Sequence, residues 1–336
     1  MTATQYDTLD NQTLQQLAER GLRHYPLSLN GRLRLLCRSE NATFRLDSDD
    51  GRRFALRLHR ANYHRRDEIE SELSWLDALN EQGIQVPQAV RGADGERVQN
   101  VVLEDGSVRH LVIFDWIDGE MPTTGVDPRA FLRLGEITAQ LHQHSRTWRP
   151  PAGFRRIVWD HPSMIGEKGH WGCWREAPYL ARASHRLIEE ALVRVNDELL
   201  AYGQAPQRYG LIHADLRLSN LLLQGEETRV IDFDDCGFGW YLHDLAAAIS
   251  FVEHHPRAQE WVAHWLAGYQ HICPLDERDL AMVPTFIIQR RIQLLAWAGS
   301  HAETEMARSL GDGWATDSVR LCRRYLETDL LPVGSL

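Results

Sequence analysis

The 336-residue chain is 43% hydrophobic and 25% charged, a globular balance with length enough for one large domain or two lobes. Its 37 basic against 47 acidic residues leave a net charge of −10, which argues against general nucleic-acid binding. The five cysteines are scattered without a CxxC pair, the start MTATQYDTLD is wrong for a secretory signal, and no apolar run reaches the ~18 residues of a membrane span; a cytoplasmic protein without disulfides or structural zinc is expected.

The first third reads as mostly β. RLRLLCR (32–38) and ATFRL (42–46) are strand-like and joined by a tight SEN turn, and DSDDG (47–51) is a hairpin signal before the strand RRFALRLHR. Residues 65–83 then read as a helix, because Ile69, Leu73, Leu76 and Leu79 recur at spacings of three and four and Gly83 follows as a stop. Two more strands are expected near 97–103 and 109–115, giving the order β-β-β-α-β-β. Beyond IDGEMPTTG (117–125) the pattern turns helical. Asp127 is expected as an N-cap with Pro128 at the first helical position, and Phe131, Leu134, Ile137 and Leu141 form a buried stripe. Residues 182–202 and most of 242–330 also read as helices. The expected fold is α+β in two lobes: residues 1–116 a β-rich lobe, residues 117–336 a larger helical lobe.

The segment LIHADLRLSN (211–220) pins a polar trio, His213, Asp215 and Asn220, between the apolar pair Leu211–Ile212 and LLL at 221–223. Polar side chains so placed are costly unless they satisfy one another or form a site. Downstream, TRVIDFDDCGFGWYLHDLA (228–246) puts Asp232 at the end of a β-branched strand, twelve residues after Asn220.

HADLRLSN followed by VIDFDD and YLHDLA resembles the catalytic loop and metal-binding aspartate of the aminoglycoside phosphotransferase, choline kinase and type II homoserine kinase branch of the protein kinase-like superfamily. The resemblance spans nearly the whole chain and is most specific over 213–244. It implies a phosphotransferase that uses ATP and Mg²⁺ on a hydroxyl of a small molecule such as an amino alcohol, homoserine or an aminoglycoside. Asp215 is then the base that orients the hydroxyl and accepts its proton. Asn220 and Asp232 supply oxygens to Mg²⁺, with Asp234 as a further ligand. His213 and Asp244 hold the loop. Arg217, two residues after Asp215, either touches the transferred phosphate or pairs with a nearby acid.

The first part of the chain departs from the kinase pattern in two ways. SENATF (39–44) replaces a glycine-rich loop, so the backbone N–H groups of Asn41, Ala42 and Thr43 are candidates to face the phosphates, unless the turn is an ordinary hairpin. The third strand offers Arg57 instead of a lysine, and Lys168 is the chain's single lysine. Glu72 is the expected partner of Arg57, with Glu68 one turn earlier as the alternative. In LVIFDWIDGE (111–120), the carbonyl of Asp115 and the N–H of Ile117 are placed to read adenine. The stretch 148–180, with Trp148, Trp159, Trp171 and Trp174, either lines an acceptor pocket or packs itself onto the helical lobe.

Two rivals remain open. A protein Ser/Thr kinase shares the HxDxxxxN loop, but only eleven residues separate Asp232 from Asp244, too few for a peptide-docking segment. A nucleotide-binding regulatory module is suggested by Arg57 and opposed by the intact Asp215, Asn220 and Asp232. Oligomeric state is not legible in the sequence.

Overall fold

The computed structural model describes residues 9–38, 41–122, 129–225 and 227–328. Asp127 and Pro128, expected to start a helix, lie outside those residues, as do Ser39 and Glu40 of the first turn. The N-terminal region is a six-stranded antiparallel sheet with one helix on each face. Strands β1 (Gly31–Arg38), β2 (Ala42–Ser48), β3 (Arg53–Leu58) and β6 (Val108–Asp115) neighbour one another in that order, and β4 (Ala89–Val90) and β5 (Gln99–Val102) pair with the outer side of β6. Helix α2 (Arg66–Glu81) covers one face. The other is covered by α1 (Asn11–Leu22), a helix additional to the expected elements. Its start is capped by Asp10, whose carboxylate accepts from Thr13 N–H at 2.7 Å, and its buried Leu14, Leu17, Ala18 and Leu22 repeat at helical spacing.

This two-faced burial decides where β3 sends its side chains. Leu56 and Leu58 point to the α1 face, packed with Leu14, Phe44, Leu111 and Ile113. Side chains alternate along a strand, so Arg57, registered opposite Val112, points to the α2 face and its Glu72.

The rest is mainly helical. Helix α3 (Arg129–Thr147) crosses α7 (Ala258–Gln270) with backbones nearly touching. A Cβ on Gly268 would sit 1.9 Å from the Leu132 carbonyl oxygen, so only glycine permits the crossing. Helix α9 (Val283–Ser300) runs through the core, buried at every position from Val283 to Ala298. Around it lie α4 (His161–Ile165), α5 (His185–Tyr202), α6 (His243–Ala248), α8 (Glu277–Ala281) and α10 (Glu305–Thr328), the last broken at Gly311, whose φ is 65°.

Two small sheets carry the polar motif. Strand β8 (Tyr209–Ile212) leads into it, and the hairpin β9 (Leu221–Gln224) with β10 (Glu227–Val230) follows. Strand β11 (Gly237–Trp240) pairs antiparallel to β8 and parallel to β7 (Ile157–Trp159). The stretch 148–180 therefore contains a strand, a short helix and a 3-10 turn at Trp174–Glu176, where the sequence shows no period. No helix among the described residues is long and apolar enough to cross a membrane.

Candidate active site

A cleft of about 600 Å³ opens between the sheet and the helical region, and the polar motif lies on its floor. The segment after β8 is shaped by Asp244 at the start of α6. Its buried carboxylate accepts from the backbone N–H of His213 at 3.1 Å and of Ala214 at 2.7 Å, and His142 Nε2 lies 2.9 Å from it. Ala214 sits at φ 68°, a left-handed conformation costly for alanine, which this grip holds in place. His213 Nδ1 accepts from Asp215 N–H at 3.3 Å, so its Nε2–H donates to the Ile231 carbonyl at 3.1 Å. Burial holds this imidazole neutral, below its ordinary pKa. Both residues expected to hold the loop are thus joined to its backbone.

Asp215 has two differently held oxygens. Oδ1 accepts from Arg290 Nη2 at 2.7 Å. Oδ2 has only longer contacts, from Arg217 at 3.2 and 3.3 Å and from Asn220 Nδ2 at 3.3 Å. Burial pushes the carboxyl up, but Arg217 and Arg290 outweigh it and hold Asp215 below the ordinary range. Such a carboxylate can orient a hydroxyl and take its proton.

Asn220 and Asp232 stand at the two feet of the β9–β10 hairpin, joined by Ile231 N–H donating to the Asn220 carbonyl at 3.0 Å. Asn220 spends its Nδ2 on the Asp215 carbonyl at 2.8 Å, which leaves its side-chain oxygen for another partner. Asp232 has φ 65° and opens to the cleft. Withdrawal from bulk water, then the Asp234 carboxylate, push its pKa up to about 7. Hard oxygen ligands and crowded negative charge fit a divalent cation shared with phosphate oxygens, a set that needs few protein groups. Among the described residues no cluster of three or more His, Cys, Asp or Glu is placed to hold a metal ion. Asp234 is buried and already faces cationic and imidazole groups: Arg57 Nη1 at 3.8 Å, His59 Nδ1 at 3.5 Å and His64 Nε2 at 3.8 Å.

Across the cleft, Arg57 Nη2 lies 2.8 Å from both carboxylate oxygens of Glu72, and its guanidinium stacks over Phe114 at 5.0 Å. Glu68 is instead spent on the helix start, accepting from Arg65 N–H at 2.8 Å. Asn41, Thr43, Asp115 and Ile117 line the cleft. Ala42 does not. Its side chain is buried in the core beside α1, and strand alternation turns it away from the cleft that Thr43 lines.

Comparison with known proteins agrees with this geometry. The profile of the phosphotransferase enzyme family matches residues 36–281. The chain belongs to that family. It is 42% identical to a solved microcompartment-associated aminopropanol kinase, covering 97% of this chain and 100% of that one with a TM-score of 0.87. It is 24% identical to amicoumacin kinase of Bacillus subtilis over 77% of each chain, and 26% identical to a homoserine kinase of Beijerinckia indica over 73% of this chain and 72% of that one.

As in the sequence reading, this phosphotransferase brings Asp215, Arg217, Asn220, Asp232, Asp234, Arg57 and Glu72 to one cleft. The tryptophans divide. Trp171 lines the cleft, while Trp174 is buried against the helical core and Trp159 donates from Nε1 to the Asp235 carbonyl at 2.7 Å. Two arginines join the site unannounced. Arg156 is buried and its guanidinium binds the backbone of the Asp232 loop, donating to the carbonyls of Cys236 at 2.6 Å and of Asp234. Arg290 approaches Asp215 from α9, 75 residues away in sequence. Their one sequence trace is charge inside apolar stretches, as in IIQRRIQLL for Arg290.

Proposed function

We propose that the chain moves the γ-phosphate of ATP, taken as its Mg²⁺ complex, to the hydroxyl of a small amino alcohol. The observation that carries this reading is the convergence of Asp215, Asn220 and Asp232 on one cleft whose opposite wall holds the Arg57–Glu72 pair. In this reading residues 1–116 form the nucleotide lobe and 117–336 the catalytic and acceptor lobe. Arg57 holds the α- and β-phosphates, with the backbone near Asn41 and Thr43 behind them. The carbonyl of Asp115 and the N–H of Ile117 read adenine. Asn220 and Asp232 hold Mg²⁺, and Asp234 fixes Arg57 and stands in reserve as a ligand. When bound, the metal neutralises the phosphate oxygens.

Asp215 orients the acceptor hydroxyl and takes its proton as the oxygen–phosphorus bond forms, and Arg217 steadies the phosphoryl group in passage. The cleft is lined by six carboxylates (Glu72, Asp115, Asp215, Asp232, Asp234, Asp235) against three guanidiniums (Arg57, Arg217, Arg290), an excess that favours cations. A metal ion and an ammonium-bearing acceptor both fit it. The aminopropanol kinase relative favours the same acceptor class. The short span between Asp232 and Asp244 is filled by β11 and its turns, which leaves a peptide acceptor no platform. The five free cysteines fit a reducing cytoplasm.

The test is an ATP-consumption screen across amino alcohols, homoserine, aminoglycosides and casein-like proteins. Turnover with a small amino alcohol and none with protein is expected. Tight Mg-ATP binding with no turnover on any acceptor would make the chain a regulatory nucleotide binder instead.

A further inference from the structure

The Arg290 guanidinium is a buried charge that lines the cleft beside Asp215, with about 1% of its side chain exposed. A buried arginine is costly unless it is paired and its donors are used. Here every nitrogen has a partner: Nε donates to Ser250 Oγ at 3.0 Å, Nη1 to Gln293 Oε1 at 3.2 Å and Nη2 to Asp215 Oδ1 at 2.7 Å. Trp171 covers its face at 4.7 Å. The neighbouring Arg291 turns away to Glu253, so among the described residues Asp215 is the carboxylate to which Arg290 is hydrogen-bonded. By contrast, Arg217 is a quarter exposed, reaches Asp215 Oδ2 only at 3.2 and 3.3 Å, and rests over Phe251.

We propose that Arg290 is a positioning residue that fixes Asp215 by Oδ1 and so makes Oδ2 the oxygen presented to the acceptor. This rests on the reading of Asp215 as the base. Arg217, loosely held, leaves Oδ2 for the phosphate when substrates bind, while the anchored Arg290 stays. The acceptor O–H bond breaks and its proton passes to Oδ2. The acceptor oxygen bonds to phosphorus, and the bond from phosphorus to the β-phosphate oxygen breaks with its electron pair leaving on ADP. Arg290 touches none of these atoms and acts through the orientation of Asp215.

The test uses the full-length enzyme with Mg-ATP and aminopropanol and compares Arg290→Gln, Arg290→Lys and Ser250→Ala. Arg290→Gln should lower kcat about 30- to 100-fold, the scale of a ~1 Å misplacement, with the ATP KM within about threefold of wild type. Lysine can keep one contact to Oδ1 but not the other anchors, so Arg290→Lys should recover part of that loss. Ser250→Ala removes only the Nε anchor and should lower kcat a few-fold with little change in Tm. A merely structural Arg290 would lower Tm, leave kcat per folded molecule unchanged and show no rescue by lysine, and that result overturns the proposal. Should Arg290→Gln fail to fold, unchanged kcat in both other variants overturns it equally. An active wild type with insensitive variants sinks this inference alone; a wild type that phosphorylates no alcohol sinks the function with it.

Discussion

Replacing Glu72 by glutamine probes the pair that stands where kinases keep a lysine. Both side chains are nearly out of solvent, with 9% of Arg57 and 1% of Glu72 exposed. Breaking a buried ion pair from one side costs about 3–5 kcal/mol. The lower end applies here. Glutamine keeps one acceptor for Arg57 Nη2, and Asp234, 3.8 Å from Nη1, still compensates the guanidinium. A loss of about 3 kcal/mol should lower Tm by roughly 4 °C, at about 1.4 °C per kcal/mol for a chain of 336 residues. The same substitution lets Arg57 relax toward Asp234 and away from the phosphates, so the ATP KM should rise about tenfold while kcat changes less. Thermal melts without nucleotide, beside steady-state rates at saturating acceptor, measure both. A Tm within about 1 °C of wild type and an unmoved ATP KM would mean that the pair neither supports the sheet nor positions a phosphate-binding cation.

Trp171→Ala should raise the acceptor KM with the ATP KM nearly constant, because Trp171 lines the cleft against Arg290. Trp174→Ala should instead destabilise by about 3–5 kcal/mol with little kinetic effect, as for any large side chain removed from a core; the reverse pattern would undo the division between them. Asp232 has a folded pKa of about 7 against an ordinary 3.8, so the native state retains a proton that the unfolded chain has lost, and this residue lowers stability as pH rises through that window. In metal-free buffer with EDTA, Asp232→Asn should therefore raise Tm relative to wild type more at pH 8 than at pH 5, where roughly a third of the effect is already present, and an equal difference at both would contradict it.

The polar block from His213 to Asp244 is legible in sequence because its chemistry is local, with fixed spacings along a loop and a hairpin. The Arg57–Glu72 pair is legible too, since strand parity and helix position are both short-range patterns. Helix α1 carries a readable signal, Asp10 as cap before Leu14, Leu17 and Leu22, although three glutamines and Thr13 lie between them. Strand β7 is different. It is three residues long and exists because β11 pairs with it, a contact across about eighty residues that no local period announces. Arg290 and Arg156 belong to the same class. Their partners are a distant carboxylate and distant carbonyls, and nothing within a turn of either residue marks the pairing.

The central claim is that Asp215 and Asp232 do different things, and paired Asp→Asn variants test it most directly. Each would be titrated calorimetrically with Mg-ATP and assayed for transfer to aminopropanol. Asp232→Asn should weaken Mg-ATP binding and abolish transfer together, because the metal loses its charged ligand. Asp215→Asn is nearly isosteric and should keep Mg-ATP affinity within a few-fold, yet lower kcat by roughly 10² to 10⁴, the usual contribution of a positioned acid–base group. Near wild-type turnover in Asp215→Asn would contradict the account at its centre.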